Sequence, residues 1–348
     1  MAYSDKSYKL YDTLNPEALE GKLDRYKHLL PISSNQTKDI LTLPTLKDSE
    51  LVDRAQGCFL GLAIGEAIGS TVEFLPRDSY EEIKDMTGGG PLNLELGEWT
   101  DGTAMSICLA KSLLASETVE QYDFMERLQA WLKNGENSAR GFAKAVGSTT
   151  LTAIESFIKD EEPSAGSQTQ DSAGNGSLIR LAPLAIFARE HATLAHHLSS
   201  KQSRATHATY ECLDACQLLI DQLIDALNGA DKSTTLRPRI MHLAPNTLAI
   251  NGGDWKEKSR DDIRSSAYVI DTLDAALWSV WNTDNFRDAI LLAVNLGGDA
   301  ASVAAVTGQL AGALYGLKSI PSTWQTSVAK ADEIKMLANN LFTFRKDV

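Results

Sequence analysis

Two stretches of this chain are apolar yet carry many of the smallest side chains, and that combination leaves few choices of fold. Residues 52–68 are rich in glycine and alanine, and a second run reads Val303-Ala-Ala-Val-Thr-Gly-Gln-Leu-Ala-Gly-Ala-Leu-Tyr-Gly316. Segments of this kind predict helices packed closely inside a core, because small side chains set a short interaxial distance. Helical periodicity also marks residues 104–115, 122–132, 206–227, 268–281 and 286–294. Short alternating β-branched runs are nearly absent. Glycine-rich turns at 86–90, 174–176, 251–253 and 297–298 separate the helical segments, and residues 159–173 read as a mobile surface loop. The expectation is a single compact all-α domain over residues 49–348, preceded by an extension at residues 1–48.

The extension has its own signal. Asn15-Pro16 is a good helix start, and Leu19, Leu23, Tyr26 and Leu30 then fall on one helical stripe. Such a stripe either packs on the chain's own core or docks a partner. Residues 33–47 read as a polar linker. The formal net charge of -13 argues against nucleic acid and against an anionic membrane. The first residues lack the apolar core of a signal peptide, and no apolar run reaches bilayer length. Cys58, Cys108, Cys212 and Cys216 form no CxxC pair, and Cys212 and Cys216 stand one helical turn apart. That suits buried thiols in a reducing compartment better than a zinc site, so a cytoplasmic protein is expected.

The chemistry concentrates in a few turns. Asn295-Leu-Gly-Gly-Asp299-Ala-Ala301-Ser302 resembles a metal-binding turn feeding a helix, and Trp99-Thr100-Asp101-Gly102-Thr103 offers a hydroxyl beside a carboxylate. Hard divalent cations select such oxygen donors. The backbone amides of glycine turns suit a diphosphate, since bare N–H groups approach its oxygens closely. Arg180 reads as a structural ion-pair partner, and His207 as support for the core or the cleft wall. Trp99 and Tyr268 are aromatic enough to stack on a base or sugar, although a core position serves them equally.

Taken together, four segments carry a resemblance. Gly57-Cys-Phe-Leu-Gly-Leu-Ala-Ile-Gly65-Glu66-Ala-Ile-Gly69 with Val72-Glu73-Phe74, then residues 99–106, residues 174–183 and residues 295–302, resemble the motifs of the ADP-ribosylglycohydrolase family in order and spacing. The resemblance implies an orthogonal bundle of helices whose cleft binds ADP-ribose and two magnesium ions, and cleavage of ADP-ribose from a modified side chain, often arginine. It implies Glu73, Asp101 and Asp299 as catalytic residues, and Thr100, Asp101, Asp299 and Ser302 as metal ligands. It further places Gly88, Gly89, Gly90, Asn175, Gly176, Ser177 and Tyr268 along the ADP-ribose.

Two positions depart from the pattern. Gly102 and Ala301 stand where the resemblance implies aspartates of the metal centre, so two carboxylates are lost and magnesium affinity should fall. Glu66 in place of the family's aspartate reads as a milder change. Two functions therefore stand open. One is a hydrolase acting on ADP-ribosylated arginine that is also an immunity protein, binding an ADP-ribosyltransferase toxin through the extension. The other is an inactive relative that binds ADP-ribose or blocks a partner. Some bacterial members of the family are immunity proteins against ADP-ribosyltransferase toxins. By that likeness, the stripe of Leu19, Leu23, Tyr26 and Leu30 would be the toxin-binding surface.

Overall fold

The computed structural model of the chain describes residues 25–29 and 43–344. Between residues 43 and 344 fourteen α-helices follow one another: α1 (Asp48–Gly69), α2 (Asp101–Ser116), α3 (Gln121–Asn134), α4 (Ser148–Asp160), α5 (Ala182–Phe187), α6 (Ala192–Arg204), α7 (Tyr210–Leu227), α8 (Lys232–Thr235), α9 (Pro245–Gly252), α10 (Val269–Trp281), α11 (Phe286–Val294), α12 (Ala300–Tyr315), α13 (Ser322–Ser327) and α14 (Ala331–Thr343). Among the described residues there is no β-strand, only isolated bridges such as Gly174 with Tyr268. The fold is all-α. No described helix is long and apolar enough to cross a membrane.

The two small-residue segments, α1 and α12, pack against each other along the centre. Their contact follows a four-residue step in antiparallel register. A Cβ added at Gly57 would meet the Gly312 carbonyl oxygen at 2.5 Å, and one at Gly61 would meet that of Gly308 at 2.3 Å. At Gly65 it would meet the Ala304 oxygen at 2.0 Å, and at Gly69 the Ala300 oxygen at 2.4 Å. Backbone rests on backbone from Gly57 to Gly69 of α1 and from Ala300 to Gly312 of α12. That is ridge-in-groove packing along i, i+4 rows with the side chains removed from the contact. Helices α2, α5, α7, α10, α11 and α14 surround this spine.

Element boundaries follow local chemistry. Helix α7 starts at Tyr210, four residues later than its periodicity suggests, because Thr209 caps it by accepting from the Cys212 N–H at 3.2 Å. The stretch 159–173, expected to be mobile, is tied to the end of α6: the Gly166 N–H donates to the Arg204 carbonyl and the Ala208 N–H to that of Ser167, each at 3.0 Å. Trp99 is core, its indole N–H donating to the Ala329 carbonyl at 2.8 Å. All four cysteines are buried and unpaired.

Of the stripe in the extension, Leu19, Leu23 and Leu30 lie outside the described residues. Tyr26 lies within them, and it is turned onto its own bundle. The residue is 5% exposed, its ring covers the Cα of Gly252, and its hydroxyl donates to Asp254. Arg25 pairs with the same aspartate at 3.3 Å. Tyr26 therefore takes the core alternative rather than the partner-facing one.

Candidate active site

Two helix N-termini converge at the C-terminal end of α1, and each is capped by a carboxylate from α1 or its tail. Glu66, 1% exposed, reaches the start of α2. It accepts from the N–H groups of Gly102 at 2.7 Å and Thr103 at 2.8 Å, and from the hydroxyls of Thr100 at 2.9 Å and Thr103 at 2.5 Å. Both oxygens of Glu66 are thus engaged, and the orphan donors of the first helical turn are satisfied from another helix. Glu73 repeats the arrangement on α12, accepting from the Ala301 N–H at 2.7 Å. Each capped terminus carries an aspartate: Asp101 opens α2, and Asp299 precedes α12.

Asp299 is steered from both sides of its Cα. Its N–H donates to the Ser265 carbonyl at 2.7 Å, and its side chain accepts from Asn175 Nδ2 at 2.9 Å. Asn175 Nδ2 also bonds Thr272 Oγ1 at 2.8 Å, so the residue 174–176 turn is fastened to both α10 and the Asp299 carboxylate. Glu73 is aimed inward by a backbone clamp. The Phe74 N–H donates to the Gly298 carbonyl at 2.7 Å, and the Gly298 N–H donates to that of Leu75 at 2.9 Å. Phe74 sits at φ 62°, a left-handed conformation that strains a bulky side chain by about 1–2 kcal/mol.

The electrostatics follow from burial without a counter-ion. Burial first, then the Asp299 charge, raises the Glu73 pKa well above the usual carboxyl range. Burial, then the charges of Glu66 and Asp299, does the same for Asp101. Burial also raises Glu66, against the pull of its four hydrogen bonds. Among the described residues no Lys, Arg or His side chain forms an ion pair with any of the four acids. An all-oxygen set with excess negative charge fits a hard cation. Among those residues, though, no three Asp, Glu, His or Cys side chains stand at ligand spacing around one point.

That charge crowding has a measurable consequence. Raised carboxyl pKa values mean the folded chain binds more protons than the unfolded one above pH 4.5, so these groups stabilise less as pH rises. Asp214, pushed to about 7 by burial, acts in the same direction. His207, pushed down to about 3 by burial and by Arg180, acts in the opposite one, because it stays neutral in the fold while the unfolded chain takes up a proton below pH 6.5. The separable readout is magnesium. An ion held by these acids should raise the free energy of unfolding at pH 8 by about 2.7 kcal/mol at a hundredfold excess over its Kd. The gain should shrink toward pH 5 and vanish in Asp101→Asn. An equal gain at both pH values would place the ion elsewhere.

The glycine turns differ in what they leave open. In the 174–178 turn, the N–H groups of Gly176 and Ser177 donate to no described acceptor, whereas that of Asn175 donates to the Ala267 carbonyl at 3.1 Å. His207 lies under this turn, where a Cβ at Gly176 would meet its Cε1 at 2.7 Å. The Ser177 hydroxyl points into the core, to Ser203 at 2.8 Å. Residues 88, 89 and 90 all have positive φ, and the Gly89 N–H donates to the Leu94 carbonyl at 2.6 Å. Its amide is not available to a diphosphate. Gly90 instead packs its Cα on the Ser70 and Thr71 carbonyls. The Tyr268 hydroxyl accepts from Asn246 at 3.2 Å, and Ser302 makes no side-chain hydrogen bond among the described residues.

Two residues play other parts than their sequence context suggests. Arg180 is fully buried but pairs with no carboxylate; it donates to Gln202 Oε1, to the Gln202 carbonyl and to Thr206 Oγ1, each at 2.8 Å, with its guanidinium 4.9 Å from the centre of the Phe124 ring. Burial lowers its pKa to about 10, so it remains a cation near neutral pH. Glu66 does more than its sequence context indicates, since it organises the α2 terminus. The signal for it is its place as the one acid between Gly57 and Gly69, the most apolar part of that small-residue run.

Known proteins resemble this chain in sequence and in fold. The ADP-ribosylglycohydrolase family model matches residues 47–347. The ADP-ribosylarginine hydrolase Tri1 of Pseudomonas putida (strain GB-1) is 45% identical over 355 residues, covering 96% of this chain and 95% of its own. The ADP-ribosyl-[dinitrogen reductase] glycohydrolase of Rhodospirillum rubrum is 34% identical over 276 residues, covering 78% of this chain and 89% of its own. A solved structure described as an ADP-ribosylglycohydrolase-related protein complex superposes with a TM-score of 0.76 at 38% identity, over 84% of this chain and 98% of that one.

Proposed function

The chain belongs to the ADP-ribosylglycohydrolase family, and from that footing we propose that it removes ADP-ribose from modified arginine side chains in proteins. The observation that carries the reading is the meeting of Glu73, Asp101 and Asp299 at two capped helix starts, beside a turn with two unengaged amides. Asp101 and Asp299 supply the negative charge that an oxocarbenium-like ribose needs. The Gly176 and Ser177 amides suit a diphosphate oxygen.

Glu73 is the group suited to move the proton. Water adds to the ribose anomeric carbon as the bond to the guanidine nitrogen breaks, and the electron pair leaves with that nitrogen. Glu73 takes the water proton, aided by the burial that raises its pKa, and passes it on to give the arginine guanidinium. A divalent cation held by Asp101, Asp299 and the Thr100 hydroxyl would orient ribose hydroxyls and make the water more acidic.

The test is ADP-ribose release from a protein modified on arginine, with magnesium present. Release is expected from the unaltered chain, and Asp299→Asn should lower it about a hundredfold or more while the helical content is unchanged. A chain that binds ADP-ribose but releases none would overturn the hydrolase reading in favour of a binding protein.

A further inference from the structure

Phe74 combines two features that an isolated protein gains nothing from. Its φ of 62° is a conformation that glycine adopts without strain and that bulky side chains rarely adopt. Its side chain is also among the large apolar groups left in solvent, with the residue 64% exposed. No described aromatic or cationic side chain covers the ring. The left-handed turn itself has a clear use, since the clamp on Gly298 turns Glu73 inward and the following side chain outward. Glycine would serve that turn better, so the ring needs a separate explanation.

We infer that the Phe74 ring is the platform for the guanidinium of the modified arginine. The inference rests on the arginine reading above and assigns the leaving-group side of the same site. A guanidinium stays planar and cationic when one nitrogen carries a ribose, and planar cations stack on aromatic faces. The neighbouring acids Glu73, Asp101 and Asp299 have no protein counter-ion among the described residues, so they draw a cation toward this rim. Phe74 directly follows Glu73 in the chain, so its exposed ring stands at the solvent end of the segment that carries this acid.

The experiment measures Kd for ADP-ribose and for ADP-ribosyl-arginine, with the full chain and with Phe74→Gly and Phe74→Leu. The unaltered chain should favour ADP-ribosyl-arginine. Both variants should lose about fivefold or more of affinity for that ligand and stay within about twofold for ADP-ribose. Phe74→Gly should also unfold no earlier than the parent, since it relieves the turn. Full affinity in Phe74→Leu would mean simple apolar contact and would overturn the platform, as would equal losses for both ligands. Binding of ADP-ribose without any preference for the arginine conjugate overturns the inference alone. Failure to bind either ligand overturns the functional reading with it.

Discussion

Gly65→Ala should lower the free energy of unfolding by about 4 kcal/mol or more, the range in which overpacking a rigid core becomes diagnostic. The added methyl would lie 2.0 Å from the Ala304 carbonyl oxygen and 2.6 Å from its carbon. Both are backbone atoms of α12, so no side chain can rotate away. The two central helices must part by about an ångström along their length, and every neighbouring glycine contact loses its dispersion energy with it. Denaturant unfolding followed by circular dichroism measures the loss. A change below about 1 kcal/mol would show that the spine is more compliant than its geometry implies.

Gly102→Asp, the change that would return a carboxylate to α2, should destabilise this chain by about 2–4 kcal/mol rather than repair it. Its Cβ would stand 2.9 Å from Glu66 Oε1 and 3.0 Å from Ile179 Cδ1. The new acid would also bring a second charge against a buried carboxylate whose pKa burial already raises. Glu66 and Gly102 fit each other, the Glu66 carboxylate occupying the space that a side chain at 102 would need. Shortening the first acid at the same time, as Glu66→Asp with Gly102→Asp, should recover most of the loss. Equal stability of the single and double variants would show that the two positions are independent.

Much of this architecture is legible in the sequence. The small-residue segments announce α1 and α12, and the periodicity of residues 286–294 matches α11 at both ends. Asp101, Asp299 and Glu73 stand out because motif and chemistry coincide. What stays hidden depends on which distant segments meet. The four donors to Glu66 lie 34 to 37 positions away, so nothing local marks it as a cap. Arg180 reads as an ion-pair partner because buried guanidinium groups usually find acids; here neutral oxygens from residues 202 and 206 satisfy it. Tyr26 belongs to an amphipathic stripe whose partner cannot be identified from periodicity, and the notch above Gly252 that receives it is made by a segment 226 positions on.

The spine of α1 and α12 also sets a gauge for the cleft. With backbone seated on backbone at every fourth residue, the helices cannot creep past each other; they can only jump by a full four-residue step, about 6 Å. Glu66 and Glu73 ride on one rail, Asp299 on the other. The distance across the site is therefore indexed like a ratchet, and substrate accommodation falls to the loops at its rim. Single residues at the tips can be exchanged without resetting that gauge, because the backbone contacts that set it lie farther along both helices.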